Sequence, residues 1–358
     1  METRKKVGLD IAKRSLKLVR YNDSEQNHEW LDTRTTETGI RKMLNWLKEN
    51  DTVVMEAGNM SFRLAKRIKK SKGCEVIVLN PGDIQLIYKS LKKTDAEDAL
   101  KLARIAYRNP REELPEVNIP SDEEEVLRAL STEQEYWTKL ATMNKNRLHG
   151  LFHQSGLTTI TKSQLKSSRN RKRILELLKN STSYEPAERL VRSLENFDIE
   201  LRSVNEQIKN KLRNNDQTRL LMSMPGIGPI TVLAILGYLG NFSRFSHAKQ
   251  VSHYSGFVPR IDQSGDSSYY GPIIKRGCKP IKRALVQGAW ALVKSPHGGE
   301  LRDFYERLCN RGKNKRVAII ATSRKMLTTL YGMMKTGNIF SSMPEEMLNK
   351  KLKYYGLI

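Results

Sequence analysis

Residues 5–22, KKVGLDIAKRSLKLVRYN, decide how the first part of the chain folds. KKVGLDIA is a short apolar run, and RSLKLVRYN alternates apolar and polar residues, so two strands follow one another across a tight turn. A third strand reads in HEWLDTRT. Working outward, a helix pattern follows in GIRKMLNWLKEN, then the strand TVVMEA, the helix SFRLAKRIKKSK, the strand CEVIVLN and helices near 81–91 and 95–108. Adjacent strands first and helix-linked strands afterwards predict an α/β domain with a mixed sheet flanked by helices. Pro110, Pro115 and Pro120 then break the chain and read as a linker.

The same stretch carries a chemical signal. Asp10 lies inside an apolar strand, and Glu56 ends the apolar run TVVME. Acids in such places are costly unless paired or bound to a metal. Further on, KKTDAEDALKLARIA (92–106) sets Asp95 and Asp98 three residues apart, on one side of a helix. Thr94 and Glu97 form a T-x-x-E capping box, and acids in a first turn suit the helix dipole, so capping alone accounts for part of this cluster. Converging carboxylates are also the oxygen-rich donor set that suits Mg²⁺ or Mn²⁺.

Bulk composition narrows the partner. The 358 residues hold 63 Lys and Arg against 39 acids, a net charge of +24, which calls for a polyanion such as nucleic acid. No apolar run approaches the roughly 20 residues of a membrane span, and no basic amphipathic anchor is present. The amino-terminal stretch runs straight into a strand, so a cytoplasmic location is expected. Cys74, Cys278 and Cys309 fit no zinc or disulfide spacing and read as reduced thiols.

The length suggests two or three domains. After the linker come long charged helices. Leu190, Leu194, Phe197, Leu201, Val204 and Ile208 follow a 4-3-4-3-4 spacing, a coiled-coil seam. Leu127, Leu130, Trp137, Leu148 and Leu151 make a poorer one, interrupted by Gln134 and Asn144. Between the helices lies KSQLKSSRNRKRILELLKNSTS (162–183), which reads either as a solvated loop or as a phosphate-tracking segment. The mostly helical last part opens with SMPGIGPITVLAILGYLG. Gly226 and Gly228 there fit a helix-hairpin-helix turn gripping phosphate, or a plain turn between packed helices. The final twenty or so residues read as an appendage.

A strand, a strand end and a helix bearing acids is the layout of an RNase H-like site. VGLDIAK, VVMEA and KKTDAEDALKLA resemble, in order and spacing, the D, E, D, D motifs of RuvC-like domains. More specifically they resemble those of the DEDD insertion-sequence transposases, the family of the Piv invertase and the bridge-RNA-guided recombinases. MPGIGPITVLAIL, YSGFVPR, QSG and IIKRGCKPIKRAL resemble that family's second signature. The resemblance implies a RuvC-like domain over 1–115, a helical coiled-coil segment over 116–215, a serine transposase domain over 216–337 and a tail over 338–358. It assigns Asp10, Glu56, Asp95 and Asp98 to a site for Mg²⁺ or Mn²⁺, and leaves Glu97 to capping.

On the residues alone, RIDQSGDSSYYG is a polar hairpin turn. The resemblance places a nucleophilic serine at Ser264. Gly265 leaves room for a phosphate, and Arg260, Lys275, Arg276, Lys282 and Arg283 stand near in sequence to neutralise charge on it. No local base is evident, and an acidic metal site from elsewhere would serve. Asp262 and Asp266 flank the serine and either hydrogen-bond it or repel phosphate. Tyr269 and Tyr270 are rival nucleophiles. His149 and His153 stand at i, i+4 but lack the glutamate of a zinc-hydrolase motif.

The resemblance thus implies a transposase that cuts and rejoins DNA through a phosphoserine link. It further implies guidance by a structured RNA and a homo-oligomer assembled on the coiled-coil seam. Rival readings are a RuvC-like junction endonuclease using water, a site-specific DNA invertase, and an inactive nucleic-acid-binding remnant.

Overall fold

Strands β1 (Lys5–Ile11), β2 (Ser15–Arg20) and β3 (Glu29–Arg34) form an antiparallel meander, as their adjacency in sequence predicts. Helix α1 (Glu37–Trp46) then carries the chain to β4 (Asp51–Glu56), and α2 (Ser61–Lys72) carries it to β5 (Glu75–Leu79). Both strands enter parallel to β1, giving a five-stranded mixed sheet in the order β3-β2-β1-β4-β5. Helices α3 (Pro81–Ile87) and α4 (Asp95–Arg108) complete the set. This computed structural model describes residues 5–23, 28–87, 95–213, 215–240, 242–264 and 267–358, with only the backbone of 85–87, 261–264, 267–268 and 270. The described residues fall into two compact units, one up to Ser121 and one from Asp122.

Strand alternation sorts the side chains of the first unit into two layers. Val7, Leu9, Val53, Met55, Val76 and Val78 share one core with Ile40, Met43, Leu64 and Ile68 of α1 and α2. The opposite face presents Gly8, Val19, Val54 and Ile77 to α4, which buries Ala99, Leu102, Ala103 and Ile105. The contact is close because it has no side chains to separate it. A Cβ built on Gly8 would stand 1.8 Å from the carbonyl oxygen of Ala99 and 2.9 Å from the amide nitrogen of Ala103.

Buried charge elsewhere in this unit is paired. Arg20 and Asp51 are almost fully enclosed, with Nη2 2.8 Å from Oδ2, and the guanidinium also bonds Glu29 and donates to the Trp46 carbonyl at 3.0 Å. The proline-rich stretch expected as a linker is instead stitched to the sheet. Val117 N donates to Val78 O at 2.7 Å, Asn80 N donates to Pro115 O at 2.9 Å, and Arg111 bridges Glu75 and Glu116. Those backbone bonds use the otherwise open edge of β5.

The second unit starts with α5 (Asp122–Gln154), continues through α6 (Ser168–Leu175) and returns along α7 (Tyr184–Arg213). Leu127 and Leu130 at the start of α5 share a core with Val204 and Ile208 near the end of α7. Leu148 and Leu151 near the end of α5 share another with Ala187 and Val191 at the start of α7. The two helices are therefore an antiparallel hairpin. The seam predicted on α7 faces inward: Leu194, Val204 and Ile208 are buried within this one chain.

Next come α8 (Gln217–Met222), α9 (Pro229–Tyr238) and α10 (Ala248–Tyr254), then the hairpin β6 (Pro259–Ser264) and β7 (Ser267–Ile273). Helices α11 (Lys279–Leu292), α12 (Gly299–Asn310), α13 (Lys315–Thr336) and α14 (Glu345–Tyr354) follow. Helix α9 is apolar on every side and buries seven of its residues, Thr231 to Gly237, as the centre of a helical core should. The final segment, expected as an appendage, is part of that core. Leu348, Leu352 and Leu357 are buried in it, and Lys351 Nζ donates to the carbonyls of Met222 and Met224 at 2.6 and 3.0 Å. Burial lowers the Lys351 pKa to about 8.

Gly8→Ala is expected to push α4 off β1 and to cost about 3 kcal/mol, the upper end of overpacking penalties, in urea unfolding. A loss below about 0.5 kcal/mol, within the range of a neutral surface change, would mean that the close approach is not needed.

Candidate metal centre

The two-layer sorting brings the predicted acids to one corner. Gly8 and Asp10 are two residues apart on β1 and share the α4 face. Val54 and Glu56 stand likewise on β4, and Leu9 pairs with Met55, so one further step along the register sets Glu56 beside Asp10. On α4, Asp95 lies one turn before Ala99, the residue that touches Gly8. Asp95 and Asp98 therefore sit in the first turn of α4, at the carboxyl ends of β1 and β4. That is where open α/β sheets place their ligands.

Electrostatics report the same convergence. The Asp10 carboxyl is half-buried, and its pKa is raised from 3.8 to about 6. Burial is the largest cause, followed by the charges of Asp95, Asp98 and Glu56 in that order, with a lesser opposing bond at Ile11. Lys17, directly across from Asp10 on β2, points its amine at Asp32, 3.5 Å away. Asp10 differs in this from Asp51, whose charge is answered by Arg20.

Among the described residues, no three acidic, histidine or cysteine side chains stand within ligating reach of one point. Glu56 and Asp95 are exposed, which leaves their side chains room to turn. The donor set is all oxygen and anionic, and that suits a hard divalent cation. Thr94 and the capping box lie outside the described residues, while Glu97 sits 3.7 Å from Arg104, off the acidic corner.

The second set of predicted residues falls in the second unit. Ser264 ends β6 and pairs with Ser267 of β7; its side chain, with Gly265 and Asp266, lies outside the described residues, as do the side chains of Asp262 and Tyr270. Tyr269 is 67% exposed. Arg260, Lys275 and Arg276 are exposed. Lys282 has a structural task, since Nζ donates to the carbonyls of Ile274 and Arg276 at 3.0 and 3.3 Å, and burial lowers its pKa. Arg283 makes a two-pronged bond to Glu135 of α5, a partner 148 residues away that sequence proximity did not suggest.

Gly226 has a positive φ of 78°, and a Cβ there would lie 2.0 Å from the Gly288 carbonyl of α11. The turn between packed helices therefore accounts for it. Gly228 precedes α9 and has the Tyr355 hydroxyl near it. His149 bonds the Ile160 carbonyl through Nε2 at 2.9 Å, an ordinary structural histidine. Among the described residues, no helix is long and apolar enough to cross a membrane.

Comparison with known proteins adds two family matches. Residues 7–156 match a model described as Transposase, of the DEDD type found in IS110 elements, and residues 218–306 match one described as Transposase IS116/IS110/IS902 family. The first span contains Asp10, Glu56, Asp95 and Asp98, and the second contains Ser264. A pilin gene-inverting protein of Moraxella bovis is 26% identical over 93% of this chain and 97% of its own length. A probable family 20 transposase of Pseudomonas aeruginosa is 23% identical over 81% and 84%. The transposase for insertion sequence element IS1111A of Coxiella burnetii is 27% identical over 62% and 60%.

The raised Asp10 pKa fixes a pH dependence for the metal-free protein. The folded chain holds this proton up to about pH 6, whereas the unfolded chain releases it near 3.8. Stability should therefore fall as pH rises through that window and then level off. Asp10→Asn should flatten the profile and gain on the order of 1–2 kcal/mol at pH 7, after allowance for solvent screening. Urea titrations at several pH values in chelator check this; equal profiles for the two proteins would contradict it.

Proposed function

Since this chain belongs to the IS116/IS110/IS902 family of transposases, we propose that it recombines DNA through a metal-bound acidic site and a covalent serine link. The observation that carries the reading is the Asp10 carboxyl, raised to about 6 by burial and by Asp95, Asp98 and Glu56. Asp10, Glu56, Asp95 and Asp98 would hold Mg²⁺ or Mn²⁺, and when bound the ion supplies charge neutralisation at the scissile phosphate. Asp10 is the anchored member, paired with Lys17 of β2 within the sheet. Glu56 and Asp95 are the exposed members.

Ser264 is the proposed nucleophile. Its hydroxyl oxygen bonds to phosphorus, the phosphorus–oxygen bond to one strand end breaks, and that oxygen leaves as a hydroxyl. The phosphate stays on the serine as a diester, so its bond energy is kept for rejoining. Arg260, Lys275 and Arg276, exposed beside the β6–β7 hairpin, are the cations proposed to meet the phosphate. Lys282 and Arg283 are better read as holding that region in shape.

Inversion of a DNA segment uses the same chemistry, and the Moraxella bovis relative, matched over 93% of this chain, favours keeping it as a second reading. RNA guidance remains a proposal supported by the net charge of +24 and by the motif resemblance. Homo-oligomerisation is likewise proposed, but on a different surface from the seam. The exposed apolar residues Tyr136 and Met143 on α5 and Ile199 on α7 are available for it, whereas Leu194, Val204 and Ile208 are buried within the chain.

The test mixes the protein and Mg²⁺ with a nicked, labelled DNA carrying its element end, with the element's RNA present, and separates products under denaturing conditions. A protein–DNA adduct lost in Ser264→Ala, and lost together with cleavage in Asp10→Ala, is expected. Cleavage that persists in Ser264→Ala without adduct would move the reading to hydrolysis by water.

A further inference from the structure

The charged stretch between α5 and α7 has a defined structure that the recombination chemistry leaves without a task. It closes the far end of the helical hairpin as a small cap with its own core. Phe152, Ile160, Leu165, Ile174, Leu175 and Leu178 pack there against the start of α7. Two polar ties lock α6 in place. Arg171, fully buried, bonds Asp198 and donates to the carbonyls of Leu165 and Lys166 at 3.2 Å each. Lys172 pairs with Glu195 at 3.0 Å, and Ser168 donates to the same carboxylate at 3.1 Å.

What remains outside is cationic. Residues 155–183 contain seven Lys and Arg and one acid, Glu176. Lys162, Lys166, Arg169 and Arg173 are exposed, and among the described residues none of the four meets a carboxylate. Arg169 and Arg173 are four apart on α6 and share a face, with Lys166 on the turn before it. A rigid platform that spends its acids on internal ties and leaves a row of free cations is suited to a regular row of phosphates.

Length sets the reach. Leu130 belongs to the main core of the second unit and Leu148 to the cap, both on α5. Eighteen residues at 1.5 Å separate them by about 27 Å. The hairpin therefore carries its basic cap beyond the main core of its unit.

We propose that the α6 cap is a clamp for the phosphate backbone of duplex DNA, gripping it beyond the segment held by the body of the second unit. The proposal rests on the DNA-recombinase reading. Each phosphate neutralised contributes about 0.9 to the slope of log affinity against log salt concentration. The triple variant Lys166→Gln/Arg169→Gln/Arg173→Gln should lower that slope by about 2–3 for a 40-base-pair duplex, with an unchanged melting temperature. The charge-preserving Arg169→Lys/Arg173→Lys should keep it.

Failure of the wild-type protein to bind duplex DNA would overturn the recombinase reading and this one with it. Wild-type binding with an unaltered slope in the triple variant would overturn the clamp alone. So would loss of slope on a structured RNA but not on the duplex, which would reassign the cap to RNA.

Discussion

The first unit depends on one contact, the backbone of α4 lying against β1 at Gly8. Ala99 and Ala103 supply the small side of that contact, and no residue larger than glycine fits the other. The consequence is positional. Asp10 is two residues beyond Gly8, Asp95 one turn before Ala99, and Glu56 one register step from Asp10, so a packing constraint aims three acids at one corner. Asp98 follows on the same turn. The raised Asp10 pKa is the electrostatic trace of that aim.

The second unit is organised by a different principle. A long antiparallel hairpin shares its base with an apolar central helix and its tip with a self-contained cap. Cations act as ties in it: the buried Arg171 at the tip, Lys351 at the turn after α8, and Arg128, whose Nε donates to the Gly237 carbonyl at 2.6 Å where α5 crosses α9. A chain of net charge +24 thus divides its basic residues between fastening and display. The exposed ones at the cap are those proposed to meet a polyanion.

Much of this was legible in the residues. Period-two and helical spacings place every strand and helix of the sheet domain in order. Asp10 and Glu56 stand out as charges at the ends of apolar strands. Other features leave no local mark. Gly8 looks like any glycine in a strand until the helix above it is seen. The heptad spacing on α7 announces a helical partner but not whose, and that partner is α5 of the same chain. Arg283 finds Glu135 across 148 residues, and the last residues fill the core with only Leu348, Leu352 and Leu357 to signal it. Ser264 was singled out by resemblance, since a serine in a polar hairpin carries no distinguishing chemistry of its own.

The central claim is that the contact at Gly8 assembles a four-carboxylate metal site on the sheet domain. Anomalous diffraction from crystals grown with Mn²⁺ tests it most directly. The account predicts one manganese peak in direct contact with Asp10 and with at least two of Glu56, Asp95 and Asp98. A peak bound elsewhere, or none at these residues at saturating Mn²⁺, would contradict it.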